Sequence, residues 1–163
     1  MNHQDHQNHS ELTMRDCFPH EQYPDKRSIQ EEALEIMERA EGSLSLELPT
    51  GTGKTALGKT WLEFFRRKGI GPLFYIAPSK AIVDQVKQLH PEVCAIYGRN
   101  EYDCLYYGPE KKLKADEIPC SFLKDCPHRV DQETGETHTA GATKCPYLWD
   151  KYKAKQADIV VSS

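Results

Sequence analysis

Residues 47–55 read Glu-Leu-Pro-Thr-Gly-Thr-Gly-Lys-Thr, and a spaced cysteine set, Cys104, Cys120, Cys126 and Cys145, follows them. The first group has the chemistry of a phosphate cradle. Gly51 and Gly53 permit backbone angles that a side chain would forbid, so the loop can curl its N–H groups toward phosphate oxygens. A helix opening at Thr55 turns its positive dipole end to the same anion. Thr50, Gly51, Thr52 and Gly53 then form the cradle. Lys54 reaches the β- and γ-phosphates, and the Thr55 hydroxyl ligates Mg²⁺. The strict pattern G-x-x-x-x-G-K-[ST] fails at its first position, where Leu48 stands in place of glycine. The remaining Thr-Gly-x-Gly-Lys-Thr still lies between an expected strand and an expected helix, as a site for ATP and Mg²⁺ requires.

The cysteines are separated by gaps of fifteen, five and eighteen residues. Zinc knuckles and ribbons favour paired C-x₂₋₄-C ligands, and only Cys120 with Cys126 comes close. Thiolates spread over a loop-rich stretch suit an iron–sulfur cluster held by four cysteines. By spacing, zinc and unrelated free thiols stay open as alternatives. Cys94 falls within an expected strand as a small buried hydrophobe.

These groups need elements to hold them. Ser28 and Glu31 form a capping box, and Ile29, Ala33, Ile36, Met37 and Ala40 give one apolar helical face, closed by Gly42. Residues 44–48 alternate polar and apolar, a short strand leading into the phosphate loop. A helix over 55–68 supplies Leu57, Trp61, Leu62, Phe64 and Phe65 to a core. Residues 73–77 read as a buried strand, 79–90 as an amphipathic helix, 93–97 as a third strand and 158–162 as a fourth. Strands alternating with helices imply an α/β fold with a doubly wound parallel sheet, helices on both faces. Residues 98 to about 149 interrupt that alternation with turn-rich sequence. The first residues, with His3, His6 and His9, read as a polar tail.

The bulk properties exclude several classes. A net charge of −4 gives no global nucleic-acid signature, so any contact with nucleic acid is local. No apolar run approaches the ~20 residues that span a bilayer, and no secretory leader is evident. An intracellular, reducing setting follows, cytoplasmic in a bacterium or virus and nuclear in a eukaryote, so six cysteines are not expected to pair as disulfides. In the cysteine region Tyr102, Tyr106, Tyr107, Phe122, Tyr147, Trp149 and Tyr152 interleave with lysines, a composition that suits stacking on single-stranded nucleic acid or packing around a cluster.

From about Phe18 to its last residue the chain resembles the iron–sulfur superfamily-two helicases of the XPD/DinG type. Phe18-Pro19, Tyr23-Pro24 and Arg27-x-x-Gln30 resemble the family's opening segment near the adenine site. Residues 47–55 resemble motif I. Residues 77–85, Ala-Pro-Ser-Lys-Ala-Ile-Val-Asp-Gln, resemble motif Ia, which touches the DNA backbone in that family, with serine where threonine is usual. Residues 98–104 resemble the segment with the first cluster ligand, residues 144–147 the segment with the last, and residues 157–161 the strand that follows the insert.

The resemblance implies a RecA-like P-loop sheet interrupted by a [4Fe–4S] insert held by Cys104, Cys120, Cys126 and Cys145, with zinc the alternative. It implies Arg27 and Gln30 near the base, Lys54 and Thr55 as the catalytic pair at the phosphates and Mg²⁺, and single-stranded and forked DNA as substrate. Repair or replication proteins are the implied partners, with no membrane. The expected organisation is a disordered tail over 1–17, the first part of the ATP-binding domain over 18–97, the insert over 98–150 and a return to the sheet over 151–163. No Asp-Glu-x-His box is present: Asp116-Glu117 is followed by Ile118-Pro119. The expectation is therefore the N-terminal portion of a 5′–3′ helicase and ATP hydrolase, catalytically incomplete by itself. The alternative is a non-catalytic nucleic-acid-binding module with a vestigial P-loop and a zinc- or cluster-stabilised insert.

Overall fold

The computed structural model describes residues 11–163, so His3, His6 and His9 lie outside the described residues. It resolves two compact units, the first ending at Gly69 and the second running from Ile70 to Ser163.

The first unit is built on two helices, α1 (Ser28–Arg39) and α2 (Lys54–Arg67). Helix α1 starts because Arg27 takes an extended conformation and its N–H donates to Gln30 Oε1 at 2.9 Å. The expected box of Ser28 and Glu31 is thus shifted by one residue. Glu31 instead pairs with Arg15 and Lys26, each at 3.0 Å. The buried stripe is Gln30, Ala33, Leu34 and Met37, at the i, i+3, i+4, i+7 spacing of one helix face. Ile36, expected in that stripe, is turned out and 42% exposed.

These side chains meet Ala56, Leu57 and Phe64 of α2 in one core, which Met14, Cys17 and Phe18 complete. Residues 11–17 are therefore packed chain, not the disordered tail expected there. A short 3₁₀ turn over Arg15–Cys17 buries Met14 and Cys17 almost fully.

The expected strand over 44–48 does not form. Leu44 and Leu46 are each 37% exposed, and no ladder joins this segment among the described residues. A strand exists only as one member of a pair, and no other described segment of this unit is a strand. Alternation alone cannot supply a partner.

The second unit holds β1 (Leu73–Ile76), α3 (Lys80–Leu89), β2 (Cys94–Ile96), α4 (Pro146–Gln156) and β3 (Ile159–Ser162). All pairings are parallel and the order is β1-β3-β2, with Leu73 opposite Ile159 and Cys94 opposite Val160. The last strand in sequence is thus the central one. Its run Ile159-Val-Val161 is buried throughout, as expected for a strand covered on both sides. Strand β1 is not fully buried: Phe74 and Ile76 are 65% and 77% exposed. Helix α3 packs Val83 and Val86 toward β2 and β3, and α4 packs on β2.

The connection between β2 and α4 is the cysteine-bearing segment. It holds three 3₁₀ turns and two isolated bridges, Asp103 with Lys114 and Val130 with Thr137. The insert boundary expected at residue 150 falls inside α4, which begins at Pro146. Its lysine-rich sequence has no apolar stripe, so periodicity does not reveal it. Among the described residues no helix is long and apolar enough to cross a membrane.

Candidate functional site

The phosphate loop is shaped from below by α1. Gln30, 4% exposed, donates from Nε2 to the Thr52 carbonyl at 2.9 Å. The Arg27 guanidinium donates to the Gly51 carbonyl. Thr52 folds its hydroxyl back onto the Pro49 carbonyl at 2.8 Å. Two loop carbonyls are thereby drawn toward α1 and cannot crowd an anion. Gly51 and Gly53 both have φ of +81°, in the left-handed region. At Gly53 a Cβ would stand 2.3 Å from Gln30 Nε2, so a side chain there must displace that amide as well as adopt a strained backbone conformation.

Gly53 caps α2 without any side-chain hydrogen bond to the helix start. The Ala56 and Leu57 amides turn back to the Gly53 carbonyl at 2.9 and 3.3 Å. Lys54 and Thr55 lead the helix, where first-turn amides lack an i−4 carbonyl of the helix and can receive an anion. Lys54 is exposed at this end, Thr55 is half-buried, and Thr50 is exposed. Beside the loop runs an open groove of about 570 Å³, lined by Met37, Leu44, Leu46, Leu48, Lys54 and Trp61. The structure thus brings Arg27, Gln30 and residues 51–53 into direct contact, with Lys54 and Thr55 next along the helix.

In the second unit, Cys104, Cys120, Cys126 and Cys145 line one cavity of about 200 Å³. Each arrives on a different piece of backbone. The Cys104 N–H donates to the Leu113 carbonyl at 2.8 Å, beside the bridge of Asp103 with Lys114. Cys120 closes a turn onto the Ile118 carbonyl at 2.8 Å, and Cys126 one onto Leu123 at 3.4 Å. Cys145 caps α4, with Pro146 at the first helical position. All four are free thiols of intermediate exposure. Burial pushes the Cys126 and Cys145 thiols above their ordinary range, and the neighbouring cysteines push the same way. A bound metal group reverses that tendency, because a coordinated thiol loses its proton.

Among the described residues, no three His, Cys, Asp or Glu side chains converge closely enough to hold a single metal ion. Four cysteine sulfurs on one cavity are a soft donor set, of the kind that zinc or an iron–sulfur group takes once the thiols are deprotonated.

Two further residues next to these cysteines, Arg99 beside Cys120 and His128 in the cavity wall, were not singled out in the sequence. Arg99 donates from Nη2 to the Ile118 carbonyl at 2.7 Å, to the Ala115 carbonyl, and to Cys120 Sγ at 3.6 Å. His128 lines the cavity, and its Nδ1 lies 2.8 Å from the Thr143 carbonyl. The available signals were local: Arg99 opens the segment that leads to Cys104, and His128 stands two positions after Cys126.

The cavity is tied to the sheet through Tyr102. Its hydroxyl donates to Asp150 Oδ2 of α4 at 3.0 Å and accepts the Tyr97 N–H at 3.1 Å. Burial, with Asp150 adding to it, holds the Tyr102 phenol well above its usual range, so it stays a donor.

No curated protein and no solved structure gives a match to the chain. A family model described as "Type III restriction enzyme, res subunit" matches residues 23–161, a span that holds both the phosphate loop and the cysteine cavity. With a loop shaped to grip phosphate, a parallel α/β sheet and a match over most of its length, the chain belongs to that family and carries its superfamily-two, helicase-like ATP-binding domain.

Proposed function

We propose that the chain is the ATP-binding part of a DNA-translocating helicase of the iron–sulfur type, with a [4Fe–4S] cluster held by Cys104, Cys120, Cys126 and Cys145. The observation that carries this reading is the convergence of four cysteines, spread over more than forty residues, on one cavity of about 200 Å³. A helicase-like domain has no need of such a convergence for nucleotide binding. A stretch so poor in aliphatic residues gains a core from a bound inorganic group.

In this reading Lys54 neutralises phosphate charge and Thr55 offers its hydroxyl to Mg²⁺. Arg27 and Gln30 hold the loop in the receiving shape and stand near the base. ATP, when bound with Mg²⁺, supplies the free energy of phosphoryl transfer. The cysteine insert acts as a rigid body against single-stranded DNA at a fork, with 5′–3′ movement as in the helicases it resembles. A reducing, intracellular setting keeps the thiols free to bind metal.

The deciding experiment is anaerobic purification followed by iron, zinc and acid-labile sulfide analysis. Brown protein with matched iron and sulfide is expected. Stoichiometric zinc without sulfide would replace the cluster with a zinc-stabilised module, and no metal at all would remove the reading.

A further inference from the structure

Cys126 and Cys145 lie far apart in sequence, yet a single residue joins their neighbourhoods at two points. The His128 carbonyl accepts the Cys145 N–H at 2.8 Å. The His128 ring meets the Thr143 carbonyl through Nδ1, also at 2.8 Å. A carbonyl can only accept, so Nδ1 carries the proton and donates. The same ring lines the cysteine cavity.

This second attachment matters because the backbone bonds at Cys126 are local. Its N–H reaches the Leu123 carbonyl at 3.4 Å and its carbonyl accepts the Arg129 N–H at 3.1 Å, so neither joins the turn to the segment that carries Cys145. Cys120, by contrast, is held through the Arg99 guanidinium. Hydrogen bonds made just outside a ligand set orient the ligands of a metal group, and losing one weakens metal binding.

We propose that His128 is the positioning residue of the cysteine cavity. Its Nδ1–H bond to Thr143 clamps the Cys126 turn against the extended segment that leads through Cys145 into α4, and so sets the separation of these two sulfurs before a cluster is bound. The role rests on the cluster reading above. It makes His128 part of the machinery that builds the site without being one of its four ligands.

The test compares His128→Ala and His128→Asn in the full chain, reconstituted anaerobically with ferrous iron and sulfide. The asparagine amide can place an N–H near the position of Nδ1–H, whereas alanine cannot. His128→Ala should hold iron about tenfold less tightly against a chelator. His128→Asn should hold it nearly as the wild type does, with an unchanged electron paramagnetic resonance spectrum of the reduced cluster. In the metal-free chain, the Cys145 amide should exchange with solvent about tenfold faster in His128→Ala and not in His128→Asn. Protection of the β3 amides against exchange reports that the second unit of each variant is folded.

Equal iron retention in His128→Ala and wild type, or an asparagine variant as impaired as the alanine one, overturns the clamp. An altered spectrum in His128→Asn would make the ring a ligand and overturn it too. Failure of the wild type itself to take up iron and sulfide overturns the cluster reading, and this role with it, whatever the amide exchange shows.

Discussion

At Gly51 and Gly53 the same backbone angle occurs in two different surroundings. Both have φ of +81°, but an added Cβ meets nothing within 4 Å at Gly51 and meets Gln30 Nε2 at 2.3 Å at Gly53. Gly51→Ala should therefore cost only backbone strain, about 1 kcal/mol. Gly53→Ala must also expel the Gln30 amide from its bond with Thr52, adding about 1–3 kcal/mol for a buried polar group left unpaired. Urea unfolding of the two variants checks this. Equal destabilisation would show that Gln30 does not support the loop. Gln30 itself resembled a base-contacting residue in the sequence, and the structure finds its amide nitrogen engaged by the loop carbonyl. That engagement depends on α1 and α2 facing each other, a relation absent from any local window.

At the scale of elements, one set of bonds braces the end of α2 and another joins the cysteine region to α4. On α2, Glu63 accepts from Arg66 at 2.8 Å and from Arg67 at 2.7 Å. These bonds, that of Arg66 foremost, hold its carboxyl down at about 2 against an ordinary 4.5. Because the folded value is the lower one, the contribution is fully present above pH 4.5. It is lost as pH falls toward 2, with the unfolded chain taking up the proton first. Both arginines are over 40% exposed, so solvent screening limits the effect to about 1 kcal/mol. Glu63→Gln should flatten the fall in stability between pH 4.5 and 2, measured by thermal unfolding across that window. An unchanged slope would assign acid sensitivity to other carboxylates.

The second attachment is Tyr102, which joins the start of the cysteine region to Asp150 of α4 and to the Tyr97 amide. Tyr102→Phe leaves both partners without it, at a cost of about 1–3 kcal/mol. It should also speed exchange of the Tyr97 amide. Wild-type stability in that variant would mean that ring packing alone, including the contact with Tyr147 at 5.5 Å, secures the junction.

At the scale of the whole molecule, each candidate site lies within one compact unit and draws on that unit's own side chains. Lys54→Ala should therefore weaken binding of an ATP analogue at least tenfold while leaving the melting temperature nearly unchanged, because Lys54 is exposed at the loop and not core. A large fall in melting temperature would contradict this. With 21 basic and 25 acidic residues, no global field draws nucleic acid to the chain. Single-stranded DNA binding through about three phosphate contacts should weaken roughly 20-fold between 50 and 200 mM salt, and a far steeper dependence would require a basic surface beyond the insert.

Much of this was legible in the sequence because it depends on short-range chemistry. Gly51 and Gly53 before Lys54-Thr55 carry the pattern of a phosphate loop, and the runs expected as strands over 73–77, 93–97 and 158–162 hold β1, β2 and β3. Residue order alone could not reveal that β3 lies between β1 and β2, since ladders are chosen by partners and not by neighbours. For the same reason the alternation at 44–48 named a strand for which this unit offers no pair. The four cysteines could be counted in advance, but their meeting around one cavity came only from turns closed by Leu113, Ile118 and Leu123 and from the cap of α4. Arg99 and His128 went unread because their roles are bonds to distant carbonyls, and such bonds exist only once the chain has folded.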